Sequence, residues 1–208
     1  MGSERVENAR AVVQGHKLNL PTKITLMRIV LVPLVMVFLI SSDRVNVLIA
    51  AVIFVAASLT DWLDGRIARR LNQVTKLGTL LDPVADKLLV AAAVVSLVHI
   101  DMVDVWMAVV IIGRELAVTG LRGVALSMGI VVPASTLGKW KTATQYVAVT
   151  LLILERGVPP EFWPFHLVST LALWLALGVT VISGAHYFYG FFLRTGTEAL
   201  VKEKERWP

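Results

Sequence analysis

Six long apolar runs constrain this chain more than any other feature. They are Ile24–Ile40, Val45–Leu59, Val84–Ile100, Val103–Leu126, Thr144–Leu154 with its flanks, and Phe165–Leu193. A helix that crosses a bilayer needs roughly 20 predominantly apolar residues. These runs are too long for strands and lack the alternation of a lipid-facing barrel. The second and third are short unless the charged residues between them prolong their helices, and the fifth is short unless it begins near Lys141. Of the 208 residues, 56% are apolar and only 17% are charged, against about 25% charged in an ordinary soluble domain. So little polar surface cannot wrap so much apolar mass in water, and disorder and collagen-like repeats are excluded for the same reason. The expectation is an all-α integral membrane protein with six transmembrane helices. The chain has no cysteine, which removes disulfide scaffolds, zinc thiolate sites and cysteine nucleophiles from consideration.

Residues 1–20 precede the spans. Within them Ser3–Leu18 mixes charge with Val6, Ala9, Val12, Val13 and Leu18. That spacing suits an N-terminal interfacial helix lying on the membrane surface, and it suits a frayed polar tail equally well. The first apolar run is too long for the core of a removable signal sequence and is followed by further spans. Residues 21–194 read as the six-helix domain and residues 195–208 as a C-terminal tail. No internal repeat or low-complexity tract stands out.

An even number of spans puts both termini on one side. All of the 20 lysines and arginines except Arg44 and Arg156 then fall on that side. The opposite loops carry Asp43, Asp101, Asp104, Glu155 and Glu161. The positive-inside rule assigns the cationic side to the cytoplasm. The net charge of +5 is thus a surplus on the cytoplasmic face of a chain in the cell's inner, cytoplasmic membrane, and any chemistry is expected to face the cytoplasm.

Between the second and third runs lie four acids, Asp61, Asp64, Asp82 and Asp86. Asp61 and Asp64 share a helix face at a spacing of three, as Asp82 and Asp86 do at a spacing of four. Two like-charged pairs at the edge of a membrane repel unless a cation sits between them, and carboxylate oxygens suit Mg²⁺, Mn²⁺ or Ca²⁺. Gly65 and Gly78 allow close approach of a backbone or ligand. Arg69, four residues after Gly65, offers a planar fork to a bound phosphate. A single aspartate here would read as a helix cap or a solvated loop residue. Four at paired spacings, running straight into apolar sequence, read instead as a metal-assisted nucleotide or diphosphate site, since ionisable groups in spanning segments are costly.

The segment Asp61-x2-Asp64-Gly65-x2-Ala68-Arg69-x8-Gly78-x3-Asp82-x3-Asp86 resembles the signature of the CDP-alcohol phosphatidyltransferase family at every fixed position. At average residue usage, chance agreement anywhere in the chain is on the order of one in ten million. The resemblance implies a six-span membrane enzyme. Such an enzyme moves a substituted phosphoryl group from a CDP-linked lipid or alcohol to a second alcohol and releases CMP. It further implies two divalent cations, Mg²⁺ or Mn²⁺, with Asp61, Asp64 and Asp82 as principal ligands and Asp86 as general base that also touches a metal. Gly65, Ala68, Arg69 and Gly78 resemble the surface that receives the cytidine and diphosphate. An alcohol is a poor nucleophile at neutral pH, so a carboxylate must take its proton, and paired cations stabilise attacking and leaving oxygens together. The four histidines, His16, His99, His166 and His186, are scattered and read as interfacial or packing residues.

Two further segments bear on the acceptor. Ile112-Gly113-Arg114-Glu115 places an ion pair in the fourth span, with Arg122 two turns further on. Gly138-Lys139-Trp140-Lys141-Thr142 places two lysines at the entry to the fifth. A pocket of Arg114, Arg122, Lys139 and Lys141 suits an acceptor that itself carries a phosphate, although positive-inside topology and anionic lipid headgroups also account for such cations. Glu115 reads as a group that orients an arginine. With the run Asn19-Leu20-Pro21-Thr22-x2-Thr25-x2-Arg28, these segments resemble the branch of the family whose lipid donor is CDP-diacylglycerol and whose acceptor is sn-glycerol 3-phosphate. Gly113 stands where that branch commonly has alanine. In this resemblance Thr25 lines the nucleotide side of the pocket, as do Asn19, Thr22 and Arg28, unless capping and interfacial anchoring explain them.

Other acceptors remain open at this point, namely those of the cardiolipin synthase and phosphatidylinositol phosphate synthase branches. An ion or proton transporter would also use intramembrane acids, but would spread them through the bilayer depth. The resemblance extends to a homodimer, since relatives commonly pair. Nucleic acid is not an expected partner.

Overall fold

The computed structural model describes residues 20–71, 76–128, 136–159, 161 and 165–205. They form six helices and no strand: α1 Leu20–Ile40, α2 Arg44–Leu71, α3 Lys76–His99, α4 Val105–Ser127, α5 Thr136–Gly157 and α6 Phe165–Glu205. The segment Ser3–Leu18 and Asn19 lie outside the described residues.

The helices outrun the apolar stretches that nucleate them. α2 continues past Leu59 through Asp61 and Asp64, and α3 begins at Lys76, ahead of Asp82 and Asp86. The acids therefore stand on helical turns that prolong the apolar rods. α5 starts at Thr136, five residues before Lys141, and α6 continues beyond Leu193 to Glu205. Pro33 lies inside α1. It has no N–H to donate to the carbonyl one turn back, a loss that apolar helices tolerate when neighbouring helices pack around them.

Short connectors make neighbouring helices antiparallel. Asp43 Oδ1 accepts from the Val45 N–H at 3.2 Å, satisfying a donor that the first turn of α2 would leave unpaired. Between α3 and α4 the Met102 N–H closes back on the Leu97 carbonyl at 2.9 Å. The intervening Asp101 takes a φ of 58°, a left-handed conformation that aspartate tolerates better than most residues.

α1 lies against both α2 and α3, α5 packs along α6 and also meets α2, and α4 leans on α6. The interior is filled by side chains such as Val35, Leu39, Phe54, Leu89, Leu97 and Ile153, all fully buried. Hydroxyls inside it are satisfied by carbonyls of their own helix: Ser96 Oγ donates to the Ala92 carbonyl at 2.8 Å, and Thr180 Oγ1 to the Ala176 carbonyl at 2.6 Å. In a medium without water this back-bonding leaves no stray donor.

The outside is apolar as well. Val30, Val37, Val52, Leu116, Leu171 and Ile182 are among many large aliphatic residues left exposed. Contiguous apolar surface of this extent is not tolerated in water. Among the described residues, Lys23–Ile40 and His166–Leu193 are long and apolar enough to cross a bilayer, and Arg44–Thr60 is a shorter apolar helix. The architecture is an all-helical bundle with the exterior of a membrane protein.

Candidate active site

Contacts sort the polar residues onto the two ends of the bundle. One end holds the α1–α2, α3–α4 and α5–α6 connections. There Arg156 approaches the Ser41 carbonyl, and Glu155 takes hydrogen bonds from His166, at 2.9 Å, and from Ser169. The other end gathers the first turns of α1, α3 and α5 with the second halves of α2, α4 and α6. Among the described residues, the site candidates stand on the halves of their helices nearer this second end, apart from Arg114 and Glu115 at the middle of α4.

α3 brings Asp86 there, half-buried. Its Oδ1 accepts a hydrogen bond from the Tyr146 hydroxyl of α5. Lys87 points from the same turn toward α4 and donates to Thr119 Oγ1, which itself donates to the Glu115 carbonyl at 2.6 Å. Backbone continuity places Asp61 and Asp64 on the second half of α2, and Asp82 one turn before Asp86. The side chains of Asp61, Asp64, Asp82, Ala68 and Arg69, and the surroundings of Gly65 and Gly78, lie outside those described, as does the Lys139 side chain. On α1, Thr25 and Arg28 are each only 2% exposed. They continue the buried stripe of Val35 and Leu39 on α1, the helix that lies against both acid-bearing helices.

A second cluster is built around one carboxylate. Glu115 Oε1 accepts from Arg114 Nη1 at 2.8 Å and from Lys141 Nζ. The three side chains are 11%, 14% and 5% exposed for Arg114, Glu115 and Lys141. Neighbouring residues on a helix do not ordinarily face one another. Arg114 reaches Glu115 because its long stem folds across α6, where Nη2 donates to Ser183 Oγ at 3.1 Å. Gly184 leaves the room for this path, since a Cβ there would stand 3.1 Å from Arg114 Cγ. Two turns along α4, Arg122 donates to the Tyr187 hydroxyl and lies over its ring, 4.9 Å from the centroid, a favourable place for a guanidinium. Buried charges persist when paired and hydrogen-bonded, and here two cations share one anion, leaving the cluster with a net positive charge.

Of Arg114, Arg122 and Lys141, expected to share a pocket, Arg114 and Lys141 contact the same carboxylate, while Arg122 contacts Tyr187 two turns further along α4. Asp86 stands beside them, bridged by α5, which carries both Lys141 and Tyr146.

A CDP-alcohol phosphatidyltransferase family model matches residues 18–182. The chain belongs to the CDP-alcohol phosphatidyltransferase family. Its resemblance to individual members covers most of the chain. It is 48% identical over 186 residues to the CDP-diacylglycerol–glycerol-3-phosphate 3-phosphatidyltransferase of Bacillus subtilis, covering 82% of this chain and 93% of that one. It is 40% identical over 171 residues to the protein of the same name from Rickettsia bellii, covering 82% and 93%. The Pseudomonas fluorescens protein, also of that name, is 38% identical over 176 residues, covering 82% and 88%.

For a phosphatidyltransferase of this family, several residues that had drawn no attention in the sequence become relevant. Tyr146, Thr119, Ser183 and Tyr187 meet the site residues directly. Gln145 donates to Thr180 Oγ1 at 3.0 Å and pins α5 to α6 beside Lys141. The sequence carries a signal for some of them: Ser183 and Tyr187 repeat at helical spacing in an otherwise apolar span, as Lys141 and Gln145 do in α5.

Proposed function

We propose that this phosphatidyltransferase transfers the phosphatidyl group of CDP-diacylglycerol to sn-glycerol 3-phosphate, giving phosphatidylglycerophosphate and CMP. The observation that carries the reading is that α5 links Asp86, through Tyr146, with the Arg114–Glu115–Lys141 cluster, a candidate base beside a cationic cluster suited to an acceptor with its own phosphate. The names of the relatives support the same donor and acceptor. In this reading all six helices span the membrane, with both termini and the site on the cytoplasmic side, as the cation distribution favours.

Asp86 takes the proton of the 1-hydroxyl of glycerol 3-phosphate. The oxygen so freed attacks the lipid-side phosphorus of CDP-diacylglycerol, a P–O bond forms, and the bond to the CMP oxygen breaks. Arg114 and Lys141, with Arg122 and Lys139, hold the acceptor phosphate, and Glu115 fixes the first two in direction. Thr25, Gly65, Ala68, Arg69 and Gly78 form the surface for the CDP-lipid. The all-oxygen set of Asp61, Asp64, Asp82 and Asp86 fits hard divalent cations, and these residues would hold two Mg²⁺ or Mn²⁺, as the resemblance to the family signature implies. Bound there, the cations would neutralise charge on the diphosphate and the departing CMP.

The test is CMP release by the purified protein from CDP-diacylglycerol with a panel of acceptors: glycerol 3-phosphate, phosphatidylglycerol and inositol phosphate. Release with glycerol 3-phosphate, abolished by a chelator and restored by Mg²⁺ or Mn²⁺, is the expected result. Turnover with another acceptor alone overturns the choice of substrate, and chelator-resistant turnover overturns the role of the four aspartates.

A further inference from the structure

Carboxylates have two oxygens and rotate readily about the last side-chain bond, so a base that must meet one hydroxyl needs something to hold it. Asp86 has such a holder. Its Oδ1 is taken by the Tyr146 hydroxyl, and no hydrogen bond from a described residue reaches Oδ2. Tyr146 is itself fixed: its ring packs edge-on against Phe54 of α2, with centroids 5.9 Å apart and planes at 60°, and Phe54 is fully buried. The neighbouring Gln145, 3% exposed, ties the same turn of α5 to α6. A tyrosine hydroxyl lies in the plane of its ring, so a ring held on one side by Phe54 delivers its hydroxyl to one place. The three helices that meet here are the two that carry the aspartates and the one that carries Lys141.

We propose that Tyr146 is a positioning residue for the transfer reaction. Anchored on Phe54, it holds Asp86 by Oδ1 so that Oδ2 faces the acceptor hydroxyl. Because Lys141 lies five residues earlier on the same helix, α5 sets the distance between the base and the acceptor's phosphate. This rests on Asp86 being the base in the reading above, but the contact with Tyr146 is an independent observation.

The experiment compares the parent protein, Tyr146→Phe, Phe54→Leu and Asp86→Asn by steady-state CMP release, with thermal unfolding followed by tryptophan fluorescence. Tyr146→Phe keeps the ring on Phe54 and removes only the hydroxyl. Its kcat is expected to fall about 10- to 100-fold, the scale of loss when a reacting group is displaced by about 1 Å. KM for either substrate should stay within about twofold. Phe54→Leu, which keeps the hydroxyl but loosens its anchor, should fall between the two. An unchanged kcat in Tyr146→Phe overturns the proposal. So does a rise in KM for glycerol 3-phosphate at constant kcat, which makes Tyr146 an acceptor contact, or a kcat loss matched by loss of folded protein. A parent that releases no CMP, or an active Asp86→Asn, refutes the proposed reaction or its base instead.

Discussion

Replacing Glu115 with glutamine keeps the size of the side chain and one acceptor oxygen, and removes the charge that two buried cations share. The Arg114–Glu115 contact at 2.8 Å carries a gross attraction of about 6 kcal/mol at an effective dielectric of about 20. Much of that offsets the loss of hydration by side chains only 11% and 14% exposed. What a substitution reads is the cost of stranding the partners, about 3–5 kcal/mol for a buried pair. Arg114 keeps Ser183 and Tyr187, so the lower end, about 3 kcal/mol, is expected. In a chain of this size that corresponds to a fall in Tm of about 6–12 °C, at about 2–4 °C per kcal/mol. The 6 tryptophans give a fluorescence signal for unfolding in detergent. Lys141→Met should cost less, since Glu115 retains Arg114. In the double variant the two effects should fall short of their sum by about 1–3 kcal/mol, as for groups in direct contact. A Tm within about 2 °C of the parent for Glu115→Gln, or strictly additive effects, would refute the idea that Glu115 holds the cluster together.

Asp86→Asn should remove turnover while sparing binding of CDP-diacylglycerol, measured on lipid-loaded micelles; full activity would show that another group takes the proton. Among the described residues, Lys87 hydrogen-bonds a neutral hydroxyl, that of Thr119, and no carboxylate, which leaves its charge for an acceptor phosphate. Lys87→Met should raise KM for glycerol 3-phosphate by about tenfold, the value of one charge-assisted hydrogen bond, and leave KM for the lipid unchanged. Gly184→Val fills the path of the Arg114 stem, already 3.1 Å from an added Cβ. It should cost about 1–3 kcal/mol in stability, as overpacking does, and raise KM for the acceptor; a parent-like Tm and KM would show that Arg114 has another route.

How much was legible in advance differs from residue to residue. The acids, glycines and Arg69 follow one another within a single stretch of chain, so their spacing is readable without a structure. The partnership of Arg114 with Glu115 is adjacent in sequence, and its companion Lys141, 26 residues from Glu115, was suspected from charge alone. Tyr146 could not be found in this way: it lies 60 residues from Asp86, and one tyrosine in an apolar helix reads as packing. Arg28 is readable as an interfacial anchor, whereas its burial is a fact of packing.

The sequence by itself determined that the chain is helical, that its surface is apolar, and that four aspartates repeat at helical spacing beside glycine and arginine. Each of these depends on neighbours within a turn or two, where the covalent chain dictates distance. The tertiary structure decided which side chains meet: Tyr146 with Asp86, Arg114 with Ser183 across 69 residues, and Arg122 with Tyr187 across 65. Those meetings depend on the rotation of each helix about its axis and on which helices lie side by side. Both are set by the fit of side chains such as Phe54, Leu89 and Ile153 throughout the bundle, and no local pattern encodes that fit.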